Sequence, residues 1–216
     1  MSRPRLLDLF CGAGGAAMGY HLAGFDVVGV DIAPQPHYPF EFHQADAKWF
    51  PLDGFDVIHA SPPCQPFTAY RRRGGGVGDR YPDLIAWAWA RLDQAGVPYV
   101  IENVEGAPLR DPVKLCGTGF ALDVQRHRLF EASFPLLGVP CAHGRNAPRF
   151  PQATNRANKR RTVEVGVWRI PLPIQQAAMG IDWMTLEELS QAIPPAYTRF
   201  IGEQLLAAIV IRAAGS

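Results

Sequence analysis

Cys64 lies in Ser61-Pro62-Pro63-Cys64-Gln65-Pro66-Phe67-Thr68, where two prolines fix the backbone immediately ahead of a thiol. An unpaired cysteine is most often a buried structural residue, but prolines that hold one side chain in a set direction favour a nucleophile. Sulfur is soft and attacks electron-poor ring carbons, and a helical turn starting at Gln65 would turn its amides toward a thiolate. Glu102, in Glu102-Asn103-Val104, supplies an acid. Semi-burial raises a carboxyl pKa into the range useful for proton transfer; the plainer alternative is a loop-capping glutamate. Asp8-Leu9-Phe10-Cys11-Gly12-Ala13-Gly14-Gly15 is a glycine-rich turn that lets backbone approach a ligand, although an ordinary tight turn or a phosphate site reads the same way. Asp31 can accept the hydroxyls of a ribose and Asp46 an amino group, against the commoner fate of a solvated turn aspartate.

These residues need elements that bring them together. Residues 6–10, 25–30, 55–60 and 97–101 read as strands, with a further short strand before Asp46. Residues 16–22, closed by Gly24, and 84–94, stopped by Gly96, read as helices. Strands alternating with helices predict βαβ units and a mainly parallel sheet with helices on both faces. Each candidate residue follows a strand, and ligands of open parallel sheets bind at the carboxyl ends of strands. Residues 174–179 and 185–192 read as short helices and 200–212 as a last amphipathic one.

The 216 residues are 48% hydrophobic and 19% charged with a formal net charge of +1. One sizeable core is affordable at that length, and a near-neutral total speaks against general polyanion binding. Positive charge is instead clustered. Residues 132–163 contain no Asp or Glu and carry Arg145, Arg149, Arg156, Lys159, Arg160 and Arg161. Arg71-Arg72-Arg73-Gly74-Gly75-Gly76 combines phosphate-gripping charge with glycine mobility, which predicts a loop closing over a bound nucleic acid. The chain lacks a signal-peptide pattern and an apolar run long enough for a bilayer, so we expect a cytoplasmic protein without a membrane partner. Cys11, Cys64, Cys116 and Cys141 are too scattered for a disulfide framework. Cys116, Cys141 and His143, with His127 nearby, are metal-type ligands without a Cys-x-x-Cys pair, and we read them as ordinary thiols and no metal site.

The motifs in this order resemble those of the DNA cytosine-5 methyltransferase family: an Asp-Leu-Phe-x-Gly-x-Gly-Gly loop, a Pro-Cys-Gln loop, Glu-Asn-Val, then Arg126 and Arg128 as an Arg-x-Arg pair. The resemblance runs over residues 6–128 and resumes over 169–205. It implies an α/β, Rossmann-like S-adenosylmethionine-dependent methyltransferase fold, divided into a catalytic part (1–130), a short target-recognition insertion (131–168) and a return to the catalytic part (169–216). It further implies that Cys64 attacks carbon 6 of a flipped-out cytosine, that Glu102 contacts N3 and the exocyclic amine, and that Arg126 and Arg128 support the base. Asp8, Phe10, Cys11, Gly12, Gly14, Gly15, Asp31, Ile32, Asp46, Ala47, Pro62 and Gly202 would hold S-adenosylmethionine. Arg71, Arg72, Arg73, Arg145, Arg149, Arg160 and Arg161 would hold double-stranded DNA, with the protein a monomer.

Two positions depart from the family pattern: Gln125 directly precedes Arg126, and Glu203 stands where an Asn usually follows the glycine. So short an insertion predicts contact with few base pairs or with phosphates, and such compactness suggests a phage or prophage origin or a restriction-modification setting. The alternatives weighed are methylation of tRNA cytosine, transfer of another alkyl group, and a non-catalytic DNA- or cofactor-binding subunit on the same fold.

Overall fold

The computed structural model describes residues 2–67, 83–143, 149–150 and 162–214. Five strands form its parallel centre: β1 (Arg5–Leu9), β2 (Asp26–Asp31), β3 (Glu41–Gln44), β4 (Val57–Ala60) and β5 (Tyr99–Asn103). Two more, β6 (Val113–Leu115) and β7 (Arg128–Ala132), complete a sheet of order β3-β2-β1-β4-β5-β7-β6. β7 runs antiparallel to both neighbours, pairing Glu102 with Phe130 and Asn103 with Leu129. The alternation of strands and helices does not foretell this antiparallel edge. Its consequence is specific: a strand that starts where β5 ends brings Arg128 to the carboxyl end of the sheet. β7 also straddles position 130, where the sequence suggested the catalytic part would stop.

The central strands are buried on both faces and therefore read as near-continuous apolar runs. Against one face pack α1 (Gly15–Ala23) and the carboxyl-terminal α5 (Pro195–Ala214), which set Tyr20, Tyr197, Ile201 and Leu205 against Leu6, Val27, Val57 and Val100. Against the other packs α2 (Ile85–Ala95), whose Ile85, Ala88 and Leu92 meet Leu7, Leu9, Ile58 and Ile101. In chain order α3 (Leu172–Met179) and α4 (Leu186–Gln191) come between α2 and α5, the latter of the two started by a capping box in which Thr185 and Glu188 satisfy each other's backbone N–H. A parallel pair, β8 (Arg149–Phe150) with β9 (Thr162–Val163), forms a separate two-stranded sheet. The last helix begins five residues earlier than its periodicity suggests, because proline is well tolerated in a first turn. Among the described residues no helix is long and apolar enough to cross a membrane.

The α1–α5 contact has no spare room. Thr198 Oγ1 donates to the Ala16 carbonyl oxygen at 2.8 Å, and a Cβ on Gly19 would collide with that hydroxyl and with the Pro195 carbonyl. Overpacking of this kind costs about 1–3 kcal/mol, and the lost hydrogen bond adds about 1 kcal/mol. Gly19→Ala is therefore expected to lower the urea midpoint by an amount equivalent to about 2–4 kcal/mol at unchanged m-value, despite alanine's better helix propensity. A neutral or stabilising effect would show that α1 and α5 do not pack this closely.

Candidate active site

A cavity of about 310 Å³ opens at the carboxyl ends of β1, β2, β4 and β5. This is the switch point where the strand order reverses between β1 and β4. Asp8, Phe10, Cys11, Gly12, Gly15, Asp31, Ile32, Pro62, Cys64, Glu102 and Arg128 all line it, so motifs from four strand ends and the antiparallel return share one space.

Glu102 is the electrostatic centre. It lies one residue before the end of β5, almost fully buried, and meets the Arg128 Nε at 3.0 Å, both side chains being under one-sixth exposed. Burial pushes its carboxyl above the ordinary range, with Arg128 and the Ser61 hydroxyl pulling the other way. Cys64 is half-buried beside it. Burial, and then the Glu102 charge, raise the thiol above its usual value, outweighing Arg128, the cysteine's own backbone N–H and Arg126. A short 3-10 turn does start at Gln65 as anticipated, but its amides do not suffice to hold a thiolate. The free protein presents Cys64 as a thiol that must lose its proton when it reacts.

Behind Glu102 runs a buried hydrogen-bond chain. The Tyr20 hydroxyl lies 2.9 Å from His59 Nδ1, and His59 Nε2 lies 2.9 Å from Ser61 Oγ. His59 is fully buried, which pushes its pKa down to about 3 and keeps it neutral. One polarity satisfies every member: Tyr20 donates to Nδ1, Nε2–H donates to Ser61, and Ser61 donates to Glu102. Asn103 adds a clamp, donating from Nδ2 to the Pro62 carbonyl oxygen at 2.9 Å and so tying the cysteine loop to β5. Tyr20 and His59 carry no sequence signal, and Ser61 and Asn103 lie within the motif segments without a role that the motifs assign to them.

The glycine loop is fastened from two sides. Asp31 accepts the backbone N–H groups of Gly12 and Ala33, each at 3.0 Å, and Trp183 Nε1 donates to the Ala13 carbonyl oxygen at 2.9 Å. Gly12 has φ +48°, and a Cβ there would meet no protein atom within 4 Å, leaving the cavity open at that point. Phe10 sits at φ +60°, a costly conformation for an aromatic residue that marks a held position. Asp8 is fully buried, and neither of its carboxyl oxygens has a hydrogen-bond partner among the described residues. Burial, Asp31 and Glu102 all push its pKa up.

Other sequence-suggested residues lie elsewhere. Asp46 caps its own turn, accepting the Lys48 N–H at 3.0 Å and pairing with its ammonium at 3.3 Å, and Ala47 is packed into the core; neither lines the cavity. Gly14 starts α1 in the left-handed region and abuts Tyr38 and Pro39, while Gly202 lets α5 approach Ala23 and Tyr20. Both serve packing. Arg126 faces a second cavity of about 220 Å³, shared with Arg128 and Val163, and donates to the Ser190 carbonyl oxygen. Arg71, Arg72, Arg73, Arg145, Arg160 and Arg161, with the loop expected to close over nucleic acid, lie outside the described residues, and Arg149 is described only as backbone in β8. The carboxyl-terminal return supplies Met184, Glu188, Gln191 and Ile193 to the cavity wall, which the motifs alone do not indicate.

Comparison with known proteins agrees with this geometry. The model of the C-5 cytosine-specific DNA methylase family matches residues 4–111, half of the chain. The type II methyltransferase M.AquIA of Picosynechococcus sp. is 27% identical over 172 residues, 63% of this chain and 67% of that protein. A protein described as a DNA modification methyltransferase encoded within an E. coli prophage shares the fold with a TM-score of 0.66 at 13% identity, over 96% of this chain and 99% of its own. A mutant of Spodoptera frugiperda DNMT2 does so with a TM-score of 0.65 at 13% identity, over 94% and 99%. The chain thus belongs to the C-5 cytosine-specific DNA methylase family and is a DNA (cytosine-5-)-methyltransferase.

Proposed function

We propose that this cavity holds S-adenosylmethionine and a flipped-out cytosine side by side, and that Cys64 is the nucleophile. What carries the reading is the convergence of a half-buried thiol, a buried acid paired to arginine, and an unpartnered carboxyl on one cavity. The residues present fit the donor. Asp8 offers its two orphaned oxygens to a cationic group, Asp31 stands at the end of β2 for the ribose, and Ile32, 71% exposed at the wall, offers an apolar face to a planar ring. When bound, S-adenosylmethionine supplies a methyl group activated by its sulfonium.

The chain's own residues prepare the base. A cytosine inside a duplex is out of reach and must leave the stack at a cost of a few kcal/mol. Glu102, whose carboxyl pKa burial raises, takes up a proton as the base enters, gives a hydrogen bond or that proton to N3 and accepts from the exocyclic amine. That withdraws electrons from the ring and opens carbon 6 to attack. The Cys64 thiol gives its proton to solvent in the open cavity as the sulfur–carbon bond forms, and carbon 5 becomes electron-rich and takes the methyl group. Solvent then takes the carbon 5 proton, which drives out the Cys64 sulfur and restores the aromatic ring. Arg128 balances the changing charge on Glu102, while Ser61, His59 and Tyr20 hold that carboxyl in place. Residues 131–168, with their excess of arginine, would read the target on duplex DNA, and residues 169–216 close the cofactor wall. We further place the protein in the cytoplasm of a bacterial or phage-infected cell, acting as a monomer.

Two outcomes follow. Nucleoside mass spectrometry and bisulfite sequencing of duplex DNA incubated with the protein and S-adenosylmethionine should show 5-methylcytosine, and Cys64→Ala should remove it. Modification of tRNA in preference to duplex DNA would reassign the substrate, and unchanged transfer by Cys64→Ala would end the covalent reading. Glu102→Gln should act in opposite directions on two measurements. Methyl transfer should fall by about 10²–10⁴-fold. Alkylation of Cys64 by iodoacetamide should instead become faster near neutral pH, because the charge that raises the thiol pKa is gone. Slower alkylation in that variant would show that Glu102 does not act on Cys64 electrostatically.

A further inference from the structure

Away from the catalytic cavity, Cys116, His127, Cys141 and His143 converge. Their four ligand atoms all lie within 4.8 Å of one another. In sequence they are scattered: Cys116 follows β6, His127 precedes β7, and Cys141 and His143 lead into the arginine-rich segment. The fold assembles a Cys₂His₂ set that no sequence spacing advertises, which reverses the reading of these residues as ordinary thiols. We propose that they form a structural zinc site that fastens the arginine-rich insertion to the catalytic sheet.

The geometry is that of a ligand cage. Tetrahedral zinc, with bonds of about 2.3 Å to sulfur and 2.0–2.1 Å to nitrogen, sets ligands about 3.3 Å apart for two nitrogens and about 3.6 Å for sulfur and nitrogen. His127 Nε2 and His143 Nε2 are 3.2 Å apart, and Cys141 Sγ lies 3.5 Å from the same His127 nitrogen. Hydrogen bonds among the side chains could explain each pair separately, but not why all four ligand atoms gather within 4.8 Å of one another.

The surroundings orient the ligands as well. Glu105 Oε2 lies 3.1 Å from His127 Nδ1, so that nitrogen carries the proton and Nε2 presents a lone pair inward. Such carboxylate–histidine pairs habitually back metal-bound imidazoles. Thr118 Oγ1 accepts the Ala142 N–H at 3.1 Å and lies 3.2 Å from Cys116 Sγ, which frees its own proton for the sulfur. Cys116 Sγ also lies 3.0 Å from the Gln125 carbonyl oxygen, where a thiol donates. Binding Zn²⁺ converts both thiols to thiolates and releases about two protons. Two thiolates and two neutral imidazoles then cancel the charge of the ion. Sulfur and imidazole together select zinc over hard cations, and four protein ligands leave no position open for catalysis. The site's place in the chain gives its purpose: the residue after His127 is Arg128, whose Nη1 donates to the His127 carbonyl oxygen at 2.9 Å.

The test uses the full chain, purified without a histidine tag, and does not depend on methyl transfer. Elemental analysis of protein produced in zinc-supplemented medium should give about one zinc per chain. In the double variant Cys141→Ser/His143→Gln it should fall to a small fraction of that. Should the variant not fold, the wild-type protein decides alone. After chelation, titration with Co²⁺ should bring up the visible bands of a tetrahedral ion together with thiolate-to-cobalt charge transfer, and added Zn²⁺ should displace them. Glu105→Gln should keep the stoichiometry and weaken zinc binding by about 10–100-fold. Wild-type protein that is isolated metal-free and takes up neither Co²⁺ nor Zn²⁺ would overturn the proposal. Cobalt spectra without charge transfer, or zinc retained in full by the folded double variant, would overturn it equally.

Discussion

The ion pair between Glu102 and Arg128 is the contact on which the catalytic arrangement depends. Both charges are largely removed from water, where attraction is strong but desolvation is costly, so the pair holds only if the geometry is fixed from several directions. The antiparallel run of β7 places the arginine, and the end of β5 places the glutamate. Ser61, His59 and Tyr20 meet the glutamate from behind, and Asn103 ties the cysteine loop to the same strand end. Removing one partner of such a pair strands a buried charge at a cost of about 3–5 kcal/mol. The sheet as a whole can be understood as the frame that keeps these two side chains beside Cys64.

The same site holds its reactants' places at some expense. Asp8 is buried without partners, Phe10 is held in the left-handed region, and Cys64 is kept as a thiol rather than a thiolate. The first two are unfavourable in the free protein, and all three face the cavity. Binding of a cation and of a planar base would relieve the first and use the others, so ligand binding should also stabilise the fold. A resting thiol has a further advantage, since only the base that Glu102 has polarised draws out its nucleophilicity.

Much of this was legible in the chain because the chemistry sits in short continuous motifs. Asp8 to Gly15, Pro62 to Gln65 and Glu102 with Asn103 each lie on one strand end, and strand ends of a parallel sheet necessarily meet. What was illegible depends on contacts distant in sequence. β6 and β7 are short and lack clean alternation, so the antiparallel edge that delivers Arg128 is a tertiary event. Tyr20, His59 and Ser61 become a chain only once α1 is laid against β4. Gly202 and Asp46 matched positions of family motifs, yet the fold uses one for helix packing and the other to cap a turn. The ligands Cys116, His127, Cys141 and His143 are joined by the β6–β7 turn and the segment after β7, not by any local spacing.

The account is tested most directly by trapping the enzyme on its substrate. Duplex DNA of random sequence in which 5-fluorocytosine replaces cytosine should react with the protein and S-adenosylmethionine as far as methyl transfer. The fluorine cannot leave as the proton does, so the sulfur should stay attached. Peptide mass spectrometry is then expected to find Cys64 bonded to a methylated 5-fluorocytosine. Methylation of ordinary cytosine by the same preparation without any such adduct, or an adduct on a different cysteine, would contradict it.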